Sequence, residues 1–226
     1  MNNFFKTMLV GGAKYRALIS IFLVNLLTEK GAILGLANLL AAINATNSTK
    51  EIRMQKYYYR SIRTEGGSSQ IQLIDTSVTA SDGTTNLNNG QLVDKDSAFA
   101  VGAISVRFAT GGTAGNPRID TYSNAVYDSS GAVRIPVGLQ NADIEIKCGN
   151  NVVLERQSIK AFFAERNINV NPIGNYASDA VELTEPAFLV GGLPISAMIY
   201  LPTGATALAA TAHVELVFHG VGTGNK

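Results

Sequence analysis

Two patterns of apolar residues divide the chain. From Lys14 to Asn44 (KYRALISIFLVNLLTEKGAILGLANLLAAIN) apolar residues run almost unbroken, whereas beyond Met54 they alternate with polar ones in short segments. The first pattern predicts two helices, roughly 14–29 and 31–44, joined or kinked at Glu29-Lys30-Gly31, because glycine weakens a helix interior. Neither helix has a clean polar face. Ser20 and Asn25 sit among apolar neighbours in the first, and Asn38 is the only polar side chain between Ala32 and Ile43. A helix apolar on all sides must be covered on most of them. The cover is either the protein's own core, a second subunit or a lipid surface. For the latter two, Leu18, Phe22, Leu26, Gly31, Gly35 and Leu39 are the candidate assembly residues, and Gly31 with Gly35 forms a GxxxG that admits a close neighbour.

A membrane span needs about 20 mainly apolar residues. Glu29 and Lys30 break this stretch, and each would cost roughly 2.5 to 3.5 kcal/mol at mid-bilayer. An export signal is suggested by Lys14 and Arg16 ahead of an apolar core, but Thr28-Glu29-Lys30 stands where a small-residue cleavage site belongs. Neither a single span nor a cleaved leader is expected.

The second pattern predicts a mainly β domain. A short arm (1–13) and a polar linker (NATNSTK, 44–50) flank the helices. Strands are expected at 54–62, 70–75, 98–110, 118–127, 132–137, 142–147, 151–157, 181–190, 195–201 and 210–221. Ile104, Val106 and Phe108 should point inward and Ser105 and Arg107 outward, with Gly102 marking a bulge that reverses the alternation. Ile144 and Ile146 should face in and Asp143, Glu145 and Lys147 out, before a hairpin turn at Cys148-Gly149-Asn150-Asn151. Ser158–Arg166 reads as a short helix or a strand anchored by Phe162 and Phe163, and 77–97 and 167–179 read as loops. Pro186, Pro194 and Pro202 argue for edges and corners. The count fits an antiparallel β-sandwich, jelly-roll-like, over 51–226, with a helical arm over 1–50.

Charge sharpens this division. Charged residues make up 15% of the chain, against a usual figure of about 25%, so much of the surface is uncharged, as lateral contacts in an assembly would allow. Residues 1–63 hold nine lysines and arginines against two glutamates, a net of +7, while residues 64–226 carry −6. Such polarity suits an anionic partner at the basic end, nucleic acid or lipid head groups, and equally a solvated basic face. The candidate residues for that partner are Lys6, Lys14, Arg16, Lys50, Arg53, Lys56, Arg60 and Arg63.

Candidate chemistry is sparse. Cys148 is the single cysteine, which excludes an intrachain disulfide. His213 and His219 flank Glu215 on one strand face but stand some 20 Å apart at about 3.3 Å per residue, too far for one metal ion. Asp143 and Glu145, about 7 Å apart on a strand face, have a spacing that glycoside chemistry can use, and alternating charge on an outer strand face explains them as well. Asp94 and Asp96 are a candidate weak cation site without EF-hand spacing. No nucleophile elbow, dinucleotide fingerprint or phosphate loop occurs in the sequence. No cofactor and no enzymatic activity are expected.

A basic, helix-bearing N-terminal part joined to an acidic, low-charge, many-stranded domain resembles the jelly-roll capsid proteins of tailless viruses and phages. The resemblance implies a self-assembling virion subunit, with homo-oligomeric and other virion partners. It also implies that the basic arm faces nucleic acid or an internal membrane. The alternative is a carbohydrate-binding or adhesive module, extracellular or at a cell surface, on the same sandwich. Removal of residues 1–44 is expected to leave a folded sandwich that assembles poorly.

Overall fold

The structure, a computed structural model, describes residues 24, 34–43, 50–61, 70–109, 122–123, 135, 137–163, 180–204 and 212–225. Eight strands occur among them: β1 Lys50–Arg60, β2 Gln70–Ile74, β3 Ala98–Ala109, β4 Asp143–Cys148, β5 Asn151–Ser158, β6 Val181–Val190, β7 Ile195–Tyr200 and β8 His213–Asn225. They form two four-stranded sheets, the first in the order β1-β8-β3-β6 and the second in the order β2-β7-β4-β5. The first strand pairs with the eighth, the second with the seventh, the third with the sixth and the fourth with the fifth, all antiparallel. That nesting is a long hairpin rolled up so that β3 also pairs with β8 and β4 with β7. It is the eight-stranded jelly roll anticipated from the strand count.

The strands form where polar and apolar residues alternate, and the apolar sides meet between the sheets. Ile71 and Leu73 of β2, Ile144 and Ile146 of β4, Ile195, Ala197 and Ile199 of β7, and Val214, Leu216 and Phe218 of β8 all join one core. On β3 the inward set is Phe99 and Val101, then Ile104, Val106 and Phe108. The parity changes at Gly102, where pairing with both β6 and β8 shifts between Val101 and Ala103. Gly102 is therefore the bulge that the sequence foretold. Pro186 lies in β6, at the edge of the first sheet, where no ladder requires its missing N–H. At Gly149 the β4–β5 hairpin takes φ 57°, a left-handed turn that glycine adopts without strain.

One segment departs from the reading of the sequence. Within the strand expected at 132–137, Ile135 is buried and Val137 opens a short helix, α2 (Val137–Gln140). Of the two alternatives for Ser158–Arg166 the short helix forms, as a 3₁₀ turn over Ile159–Phe162 capped by the Ser158 hydroxyl, which accepts from the Lys160 N–H at 3.3 Å. Phe162 and Phe163 are both buried, as anchors. Of the strand expected at 118–127, Tyr122 and Ser123 are described, and Ser123 exchanges two backbone hydrogen bonds with Phe108 (2.8 and 3.0 Å). The loop at 167–179 lies outside the described residues.

The second apolar helix exists as Leu34–Ile43, here α1. Its place changes the expected role of the arm. Leu36 and Leu39 are fully buried, and with Ile43 they pack on Ala98, Ala100, Phe188, Val190 and Val221, which form the outer face of the first sheet. The alanines of β3 let the helix approach closely, and Asn38 fastens its side by donating to the Asp96 carbonyl at 2.8 Å. Leu39, expected at a subunit contact, instead covers the chain's own sheet. Gly35 lies in the first turn of α1. Leu18, Phe22, Leu26 and Gly31 lie outside the described residues. The boundary at residue 50 accordingly does not separate an arm from a domain at α1, and removal of residues 1–44 strips a layer from a core.

Each fully buried leucine on α1 contributes roughly 1.5 to 3 kcal/mol by area alone. Leu39→Ala should lower the unfolding free energy by about 2 to 5 kcal/mol, cavity included. Urea denaturation of the full chain measures it, and an unchanged midpoint would detach α1 from the sheet.

Candidate functional site

Beyond the reach of α1, the outer face of the first sheet carries polar residues. Arg60 of β1 stands opposite Glu215 of β8, which stands opposite Arg107 of β3. Glu215 accepts from Arg60 Nε at 2.8 Å and from Arg107 Nη1 at 2.9 Å, one carboxylate oxygen each. The Glu215 side chain is 3% exposed, against 30% and 26% for the two arginines. Arg60 Nη1 also donates to the Gly83 carbonyl at 2.7 Å. Its guanidinium lies 5.0 Å from the Tyr58 ring centroid and 5.5 Å from that of Tyr122, both within cation–π range. One buried anion thus holds two cations that tie three strands together. The arrangement braces the sheet.

One rung away, Ser105 Oγ and His219 Nε2 are 2.8 Å apart, a hydroxyl–imidazole pair of the kind nucleophilic catalysis uses. Ser105 is fully buried, however, so its hydroxyl meets no substrate. His213, Glu215 and His219 do share one strand face, as anticipated. Among the described residues no three histidine, cysteine or acidic side chains gather to hold a metal ion. Asp94 Oδ1 accepts from the Asp96 amide at 3.0 Å, which turns the loop.

The second sheet's outer face carries the expected row of Asp143, Glu145 and Lys147, all of it paired. Arg156 Nε donates to Asp143 Oδ2 at 3.0 Å and its guanidinium stacks 4.1 Å from the Tyr200 ring centroid. Lys147 lies 2.9 Å from Glu145, and the Tyr200 hydroxyl donates to Glu145 at 3.0 Å. The hydrogen bonds from Lys147 and then Tyr200 hold the Glu145 carboxyl below the usual carboxylate range, and the same contact keeps the Tyr200 hydroxyl protonated to higher pH. Glu145 is thereby kept ionised and is unsuited to act as a general acid. Cys148, expected in the turn, closes β4 and is buried. Burial pushes its thiol up to about 11, and its sulfur receives the Val190 N–H at 3.4 Å.

Of the basic residues, Arg53 and Lys56 are exposed on β1 and Lys50 opens that strand. Arg60 leaves the anion-facing group, because Glu215 already takes its charge. Lys6, Lys14, Arg16 and Arg63 lie outside the described residues. The Arg60–Glu215–Arg107 row was missed from sequence: its members are far apart along the chain, and an outward charge on a strand carries no mark of its partner. No helix among the described residues is long and apolar enough to cross a membrane.

Glu215→Gln leaves two arginines facing an uncharged amide and should cost roughly 3 kcal/mol, read from the denaturation midpoint. Cys148 is neutral when folded and ionises near pH 9 when unfolded, so the folded state binds the proton more tightly. Stability should fall as pH rises from 9 towards 11, and Cys148→Ala should reduce that fall. No protein-family model matches the chain and no curated protein is similar to it, so the functional reading rests on sequence and geometry.

Proposed function

We propose that this protein is a virion structural subunit that self-assembles into a shell, with its basic N-terminal part towards the particle interior or a neighbouring subunit. The observation that carries the reading is the strand order, β1-β8-β3-β6 over β2-β7-β4-β5. Capsid domains use this architecture, as do lectins and cupins, so the step from fold to role is an analogy. Composition selects among those uses. Charged residues are 15% of the chain and the positive excess is concentrated in residues 1–63, which suits a packed outer wall and an anionic interior.

A second reading, carbohydrate binding, is favoured by one feature: Tyr200 with Asp143, Glu145 and Arg156 forms a hydrogen-bonding row beside an aromatic ring on the outer face of the second sheet. Binding of the purified protein to a glycan array, lost in Tyr200→Ala, would favour it.

Electron microscopy and mass measurement of the purified full chain test the first reading. Closed particles or large symmetric oligomers are expected, and a stable monomer at high concentration would overturn it.

A further inference from the structure

β1 lies at an edge of the first sheet, and its pairing with β8 runs from Lys50 to Arg60 without a shift of register. Its backbone groups therefore alternate strictly, one residue bonding to β8 and the next facing outward. The outward set is that of the even-numbered residues. Asn86 donates from its side-chain amide to the Lys56 carbonyl and accepts from the Tyr58 N–H, both at 2.8 Å. Thr85 Oγ1 donates to the Tyr58 carbonyl at 2.6 Å, and the Arg60 N–H donates to the Thr84 carbonyl at 2.9 Å. The Ser61 N–H, by contrast, turns to the Val214 carbonyl of β8 at 2.9 Å. From Lys56 to Arg60 the edge is thus sealed from within the chain, and the seal ends at Lys56. Among the described residues no strand or side chain is placed against the outward backbone groups of Ile52 and Met54. An open edge on a regular strand is a template for strand addition.

The open half reads Lys50-Glu51-Ile52-Arg53-Met54, a sequence complementary in charge to its own reverse. Antiparallel pairing of two copies about a two-fold axis through Ile52 sets Ile52 opposite Ile52. It also sets Lys50 opposite Met54 and Glu51 opposite Arg53, each on both sides of the axis. The even-numbered pairs face outward, so they exchange both backbone hydrogen bonds, about six in all. The Glu51–Arg53 pairs fall between them at the closer spacing of about 4.5 Å between Cα atoms, where opposite charges attract most. Neighbouring registers fail on charge or on backbone. Centring on Glu51 or on Arg53 sets like charges face to face at that close spacing. Centring on Arg53 also sets Lys50 against Lys56, and centring on Met54 pairs Ile52 with Lys56, whose carbonyl Asn86 already holds.

We propose that residues 50–54 of β1 pair with the same residues of a second copy of this chain, antiparallel and centred on Ile52, so that two first sheets join into one. The contact is isologous, so it closes as a dimer and does not propagate as a fibre. Asn86 of each copy stands beyond the paired segment and stops the strands from sliding towards Arg60. Ile52 packs beside α1, and a two-fold axis normal to the sheet keeps both α1 helices on the same side of the joined sheet. The joint does not depend on the shell reading, and within a shell it would supply a two-fold contact.

The test measures, by sedimentation velocity, the concentration at which the full chain associates in wild type, Glu51→Arg, Arg53→Glu and the charge-exchanged double variant. Each single variant sets like charges opposite each other twice and should need roughly tenfold more protein to associate. The double variant should recover, and unchanged thermal melting shows that each variant folds. Cysteines read the register independently of charge. Glu51→Cys chains mixed with Arg53→Cys chains should form an inter-subunit disulfide, since Cα atoms about 4.5 Å apart lie within disulfide reach and the native thiol is buried. Neither variant should cross-link to itself. A cross-link in either variant alone, a mixture that yields none, or a double variant that fails to recover would overturn the joint, and wild-type particles would then leave the shell reading standing. A wild type that dimerises without forming particles would keep the joint and remove the shell reading, whereas a stable monomer would overturn both.

Discussion

The insertion of β8 between β1 and β3 is the constraint on which the rest of the structure depends. It joins one end of the described chain to the other, pairing with β1 from Lys50 to Arg60 and with β3 from Phe99 to Ala109. A strand flanked on both sides must fit two ladders at once, and glycine makes that fit possible. A Cβ on Gly220 would lie 1.9 Å from the Ala100 carbonyl oxygen and 2.9 Å from the Phe99 ring, and one on Gly222 would lie 3.1 Å from the same ring. Phe99 fills the space these glycines leave, with Tyr57 packed edge-on at 4.9 Å between centroids. The nested hairpin closes because the last strand is thin where the third is bulky.

The bulge at Gly102 divides the outer face of this sheet into two environments. On one side Ala98 and Ala100 face outward and accept α1, so the burial there is apolar. On the other, Ser105 and Arg107 face outward and meet His219 and Glu215. One extra residue in β3 keeps large side chains inside along its whole length while shifting which odd or even positions reach the outer surface. Ion pairing holds the polar half and helix packing the apolar half. Buried ionic groups add less net stability than their number suggests, but one carboxylate bridging β1 and β3 through β8 fixes the register of all three.

Among the described residues, Glu215, Asp143, Glu145 and Ser105 each bond to a side chain on a neighbouring strand, and the Cys148 sulfur receives the Val190 N–H. Lys56 and Glu182 at the two sheet edges are exposed instead.

Much of the fold was determined by the sequence alone. Alternation located β2, β3, β4, β5, β6 and β7 almost to the residue, because one buried face imposes a period of two, and Gly102 and the Gly149 turn were visible because glycine has few other reasons to stand there. The apolar run at 32–43 announced a helix in need of cover. Tertiary structure alone decided what covers it, since a helix apolar on all sides carries no preference between its own sheet, a second subunit and lipid. It also decided that Val137 begins a helical turn and that Arg60 belongs to Glu215 rather than to an outside anion. Local pattern fixes which face of a strand is buried. Strand order and register, set by contacts between residues more than 100 positions apart, fix which charges become neighbours.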